Sequence, residues 1–143
     1  MNHTILLIDD DLADQGLVRR ALRVASPDTI LKTVGDGQEA LEYLLRKGKY
    51  EAVDGIKIPS LILLDINMPR IDGRGFLRAM RHLELLRHIP VVTFTTSTAS
   101  KDIQDMYLLG ANSFVSKPSS FKSLVELMES LHKFWFETAS LPA

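Results

Sequence analysis

Two runs of four aliphatic residues, Ile5-Leu6-Leu7-Ile8 and Leu61-Ile62-Leu63-Leu64, most constrain how this chain can fold. A strand with one face in water alternates apolar and polar side chains, whereas a short unbroken apolar run suits a strand covered on both faces. Between the two runs the apolar period lengthens to that of a helix. Leu17, Val18, Ala21, Leu22 and Ala25 mark a first helix, with Asp11 and Asp14 at its start. Ile30 to Val34 alternates and reads as a second strand. Gly35-Asp36-Gly37 turns the chain, and Ala40, Leu41, Leu44 and Leu45 mark a second helix. The third strand, entered from Pro59, ends before the loop residues Pro69 and Gly73. Phe76, Leu77 and Met80 indicate a third helix, and Val91 to Thr95 a fourth strand. Ile103, Met106, Tyr107 and Leu109 line a fourth helix closed by Gly110. Ser113 to Ser116 is a short fifth strand, after which Ser119 or Ser120 caps a long last helix.

Strand–helix alternation of this kind implies an α/β fold: a doubly wound, flavodoxin-like parallel sheet of five strands, order 2-1-3-4-5, with helices on both faces and an extended C-terminal helix and tail. A chain of 143 residues suffices for one such domain. Its net charge of −1 provides no global field for nucleic acid. Cysteine is absent, which excludes disulfides and thiolate chemistry and fits a reducing cytoplasm. No apolar run is long enough for a membrane span, and Met1 to Thr4 carries no signal-peptide pattern.

In a doubly wound sheet, ligands sit beyond the carboxyl ends of the strands. The first strand delivers Asp9-Asp10-Asp11 there, the third Asp65, the fourth Thr95-Thr96, and the fifth Lys117-Pro118. The order 2-1-3-4-5 sets strands one and three side by side and so brings Asp9, Asp10 and Asp65 together. Two carboxylates ~5 Å apart repel by roughly 3 kcal/mol at an effective dielectric of ~20, so such a cluster calls for a proton or a cation. Oxygen donors at a solvent-open edge suit Mg²⁺, and Mn²⁺ nearly as well. A single Asp after a strand is more often a helix cap, and one of the three is expected to serve as one.

Taken together, Ile5-Leu-Leu-Ile-Asp9-Asp10, Gly35-Asp36-Gly37-Gln-Glu-Ala-Leu, Leu61-Ile-Leu-Leu-Asp65-Ile-Asn67-Met-Pro69, Asp72-Gly73, Thr95 and Lys117-Pro118 resemble a receiver domain of the two-component response-regulator family, over Ile5 to about Leu131. The resemblance implies that Asp65 is a phosphoacceptor fed by a sensor histidine kinase. It implies that Asp10 and Asp65 bind Mg²⁺ directly with the main-chain carbonyl of Asn67, and Asp9 through water. Thr95 and Lys117 would bind phosphoryl oxygens, and Phe114 would occupy the family's aromatic switch position. The Lys117–Pro118 peptide would be cis, as in relatives. Self-phosphorylation and self-dephosphorylation would be Mg-dependent, in a signalling protein rather than an enzyme. The chain departs from the family pattern in the long Arg46–Ser60 connection, in Thr96, and in Ser119.

The last helix carries an apolar stripe at Phe121, Leu124, Met128, Leu131 and Trp135. The receiver is expected to span 1–131, with 132–143 extending the last helix into a tail and no output domain following. Phe134, Trp135 and Phe136 cannot all face one core, so a partner is expected to cover part of them. The expected arrangement is a homodimer through the fourth helix, fifth strand, last helix and tail. The long loop and the Phe-Trp tail also resemble the small response regulators paired with cyanobacterial phytochromes. The rival readings fit less well. An aspartate-nucleophile phosphatase usually has a second Asp where Asn67 stands. A flavin module would meet a repulsive acidic loop. A receiver-like module that is never phosphorylated would usually have lost an acidic residue or the lysine.

Overall fold

The aliphatic runs lie at the centre of the sheet. In the computed structural model, which describes residues 2–142, β1 (Thr4–Ile8), β2 (Ile30–Val34), β3 (Leu61–Leu64), β4 (Val91–Thr95) and β5 (Ser113–Ser116) form one sheet. Their order is β2-β1-β3-β4-β5, and every pairing is parallel. The central strands β1 and β3 are buried along their whole length, while the edge strands β2 and β5 are partly exposed. The helices are α1 (Leu12–Ala25), α2 (Gly37–Leu45), α3 (Gly73–Arg81), α4 (Ser100–Leu108) and α5 (Phe121–His132).

Alternate side chains on each strand feed two cores. Ile5, Leu7, Leu61, Leu63, Val92 and Phe94 pack with Val18, Ala21 and Leu22 of α1 and Leu124, Met128 and Leu131 of α5. Leu6, Ile8, Ile62, Leu64 and Val91 pack on the other face with Ala40 and Leu44 of α2, Phe76, Leu77 and Met80 of α3, and Met106 of α4. Four helices start on a side-chain cap. Asp11 accepts from the N–H groups of Ala13 and Asp14, Asp36 from Glu39, Asp72 from Gly75 and Ser120 from Ser123, at 2.8–3.1 Å. Each such cap contributes about 1 kcal/mol.

Helix α4 differs. It begins at Ala99 without a side-chain cap and buries only Met106. Tyr107, which the sequence places on the inner face, is 49% exposed, and Leu108 beside it is 79% exposed. Nine residues with one buried anchor specify helix rotation weakly, and charged contacts supply the rest. The Arg74 guanidinium meets Asp102 and Asp105, and the Ser97 hydroxyl donates to Asp102 Oδ2 at 2.5 Å.

The C-terminal segment also departs from the expected regular helix. After His132 the chain passes into a π-helical stretch, Lys133–Thr138. It is closed by a bond five residues long, from the Ala139 N–H to the Phe134 carbonyl at 2.7 Å. The wider turn lets the neighbours Trp135 and Phe136 both pack against the α1/α5 core. Phe136 stacks on His3 with centroids 4.2 Å apart. Phe134 stays 52% exposed, and Phe121 at the head of the stripe is 42% exposed, beneath the Arg20 guanidinium. Two of the three tail aromatics therefore find cover within their own chain.

Candidate functional site: an acidic cluster at the strand ends

The parallel ladder aims the site residues, because Asp9, Asp65 and Lys117 each follow their strand by one position and Thr95 ends its own. The Asp9 N–H donates to the Val34 carbonyl, Asp65 N–H to Ile8, and Lys117 N–H to Thr95, at 2.7–3.0 Å. The backbone at these positions is thereby held by neighbouring strands rather than by loops. Asp9, Asp10 and Asp65 each present a carboxylate oxygen, all within 4.8 Å of one another. Asp9 and Asp65 are buried, and Asp10 faces solvent.

The lysine reaches into this cluster. Lys117 Nζ lies 2.8 Å from Asp9 Oδ2, 2.9 Å from Asp65 Oδ2 and 2.7 Å from Asp14 Oδ2. The contacts to Asp14 and Asp65 are aligned hydrogen bonds. The contact to Asp9 is an ion pair by distance only, since Asp9 Oδ2 has no donor aligned to it. Burial pushes the Asp9 carboxyl above its ordinary value, against the pull of Lys117. For Lys117, burial works toward a lower value, but its contacts with Asp14, Asp9 and Asp65 outweigh it and raise the ammonium's pKa. The lysine is therefore a fixed positive charge at any ordinary pH.

The remaining oxygens are held from the backbone. Asp65 Oδ1 accepts from the Ile66 N–H at 2.7 Å, and Asp9 Oδ1 from the Asp11 N–H at 2.9 Å. Gly73 supports Asp65 from below. Its N–H donates to the Ile66 carbonyl at 2.7 Å. A Cβ on Gly73 would lie 2.2 Å from the Asp65 carbonyl oxygen and 2.8 Å from Ile66 Cα. The start of α3 can approach the β3 terminus this closely only without a side chain.

The other sequence-predicted residues fall around this centre. Thr95 is buried at the end of β4, where its hydroxyl lies 3.4 Å from the Ser97 N–H. Asn67 is exposed, two residues beyond Asp65 in the loop to α3. Phe114 is half-buried against the α2–α4 core. It sits opposite Thr93 in the β4/β5 register, so Thr95, two residues further along β4, points to the same face. Asp11 is the capping member of the acidic triplet. Phe134, Trp135 and Phe136 lie in the C-terminal π-helix. One expectation is corrected: no described peptide bond is cis, so Lys117–Pro118 is trans. The β4/β5 ladder already carries Lys117 to the cluster without it. Asp14 is the contact that sequence reasoning misses, because in the sequence it marks only the start of a helix.

Oxygen donors alone, one of them a buried carboxylate oxygen lacking an aligned donor, fit a hard divalent cation. Acidic residues with a lysine among them, on the carboxyl edge of a 2-1-3-4-5 parallel sheet, define the receiver class of two-component signalling. Residues 5–129 match the response regulator receiver domain, and the chain belongs to that family. Response regulator Rcp1 of Synechocystis is 37% identical over 97% of this chain and 92% of its own length. A crystal structure of Rcp1 in a Mn²⁺-bound form matches with a TM-score of 0.85 over 99% of each chain, at 37% identity. The phosphorylated cyanobacterial phytochrome response regulator RcpA matches over the whole of both chains, with a TM-score of 0.89 and 35% identity. RPA3017, a response regulator in red light signalling of R. palustris, matches over 99% of each chain, with a TM-score of 0.91 and 35% identity. Receivers bind a divalent metal at this acidic pocket. No described helix is long and apolar enough to cross a membrane.

Proposed function

We propose that this protein is a phosphorylation switch, in which Asp65 accepts a phosphoryl group from the phosphohistidine of a sensor kinase. The observation that carries this reading is the seating of Lys117 Nζ 2.9 Å from Asp65 Oδ2, beside carboxylates that can hold a cation. An Asp65 oxygen attacks phosphorus; the P–O bond forms as the P–N bond breaks, and its electron pair passes to the donor imidazole. The transition state spreads negative charge over three equatorial oxygens, which reward a positive surround. Lys117 supplies one positive charge and Thr95 one hydroxyl donor. Asp10, Asp65 and the Asn67 main-chain carbonyl would hold Mg²⁺, with Asp9 behind them; the ion supplies further charge to those oxygens.

The switch would run from Thr95 to Phe114. A hydroxyl drawn toward the phosphoryl group vacates space on the face that Phe114 shares. A charge-assisted hydrogen bond contributes about 1.5–3 kcal/mol, enough to shift a two-state population by roughly 10- to 150-fold. The kinase is a phytochrome-type photoreceptor on this reading, because RcpA is a phytochrome response regulator of matching length. The output is protein contact by a receiver spanning 1–131, in the cytoplasm, with the 132–143 segment as an interaction surface. A radiolabelled, autophosphorylated phytochrome kinase should pass its label to this protein within minutes in Mg²⁺ and retain it when offered Asp65→Asn. Retention of label in both cases removes the kinase assignment.

The exposed rings Phe134 and Tyr107 and the exposed Leu108 support a homodimer through α4, β5, α5 and the tail. Light scattering at micromolar concentration should give twice the chain mass for wild type and a single chain mass for Phe134→Asp with Leu108→Asp. A wild-type monomer contradicts the dimer.

A further inference from the structure

Lys117 carries one carboxylate more than the phosphoryl chemistry calls for. Asp14 Oδ2 sits 2.7 Å from Nζ, nearer than the oxygens of Asp9 and Asp65, and its bond is aligned. Asp14 belongs to the first turn of α1, but the cap of that helix is Asp11. It is not one of the three carboxylates that converge for a cation. Its side chain is 28% exposed, against 0% for Asp9 and 12% for Asp65. Of the three ammonium protons, two make aligned bonds to Asp14 and Asp65, and Asp9 Oδ2 lies within ion-pair distance beside them. A phosphoryl group on Asp65 must therefore share Lys117 with Asp14.

We infer that Asp14 is a positioning residue that tethers Lys117 on the solvent side and weakens its grip on the phosphoryl group, so that the charge on Asp14 sets how firmly the phosphorylated state is held. This rests on the reading of Asp65 as the phosphoacceptor. The charge balance supports it. Even with a divalent ion bound, Asp9, Asp10, Asp14 and Asp65 outnumber the positive charges by one. A phosphoryl group adds further negative charge to the same pocket. Asp14 is the one carboxylate of the four whose neutralisation relieves that excess while leaving the cation cluster and the acceptor intact. Its removal also frees one ammonium direction for a phosphoryl oxygen. A purely structural role has the opposite consequence: losing the tether would leave Lys117 less well placed, and the phosphoryl group would be held less firmly.

The test is calorimetric binding of fluoroberyllate, an analogue of the phosphoryl group, at saturating Mg²⁺, so that altered metal affinity does not enter. Asp14→Asn, and independently Asp14→Ala, should bind fluoroberyllate about three- to tenfold tighter than wild type, the size of one like charge removed a few ångströms away in a partly solvated site. Asp14→Glu, which restores the charge, should return to within about twofold of wild type. Unchanged or weaker binding in both neutral variants overturns the inference while leaving the phosphoacceptor reading in place. A wild-type chain that binds no fluoroberyllate, or an Asp65→Asn chain that binds it equally well, overturns both.

Discussion

Gly73→Ala is expected to cost about 2–4 kcal/mol of folding stability, in the upper range for a single substitution because its added methyl meets backbone rather than a flexible side chain. The new Cβ would fall 2.2 Å from the Asp65 carbonyl oxygen, 2.8 Å from Ile66 Cα and 3.1 Å from the Asp65 carbonyl carbon. These atoms are pinned on their other side, where the Asp65 N–H donates to Ile8 and Leu64 pairs with Ile8 in the sheet. The loop must therefore move as a unit. Relief comes only by lifting α3 away from the β3 terminus, which stretches the bond from the Gly73 N–H to the Ile66 carbonyl and exposes Phe76, Leu77 and Met80. Urea unfolding should show the loss as a lower midpoint at unchanged slope. Phosphorylation of the folded fraction should slow as well, since Asp65 is carried on the displaced segment. A midpoint equal to wild type would mean that the α3 start is not seated on Asp65.

Lys117→Ala is expected to slow phosphorylation by acetyl phosphate by about 10²- to 10³-fold, the usual effect of removing one pre-placed donor from a developing oxyanion. Asp9, Asp14 and Asp65 all share this ammonium. Its loss leaves Asp9 buried without a cation, so a bound metal becomes the remaining source of positive charge in the pocket. Metal binding should therefore persist or tighten in the variant while the reaction slows. This combination separates an electrostatic role in transfer from a general collapse of the site. Calorimetric Mn²⁺ titration beside the rate of adduct formation reads both quantities. A rate within about tenfold of wild type would place the positive charge for transfer elsewhere.

The sheet was legible in the sequence wherever burial dictates composition. Ile5 to Ile8 and Leu61 to Leu64 admit no polar face, and both became fully buried central strands. The positions of Asp9, Asp65, Thr95 and Lys117 followed, because a parallel sheet brings strand ends to one edge whatever the loops do. What escaped was set by geometry that leaves no periodic trace. Asp14 and Lys117 are 103 residues apart, and a lone Asp in the first turn of a helix looks like a dipole or capping residue until the fold brings the lysine to it. The passage of Lys133–Thr138 into a π-helix likewise leaves no periodic trace, and it lets Trp135 and Phe136 share one core. Tyr107 faces outward, against its helical spacing, because α4 is short and buries one side chain, and contacts from Arg74 and Ser97, residues outside the helix, hold its rotation.

On the function proposed above, carboxylates gathered by separate strands, with a divalent ion and Lys117, make Asp65 a reversible phosphoryl acceptor. Intact-mass measurement after incubation with acetyl phosphate tests it most directly. Wild type in Mg²⁺ should gain roughly 80 Da, the mass of one phosphoryl group, while wild type in a chelator and Asp65→Asn in Mg²⁺ should gain nothing. An adduct of the same size on Asp65→Asn, or no adduct on wild type in Mg²⁺, would contradict the account.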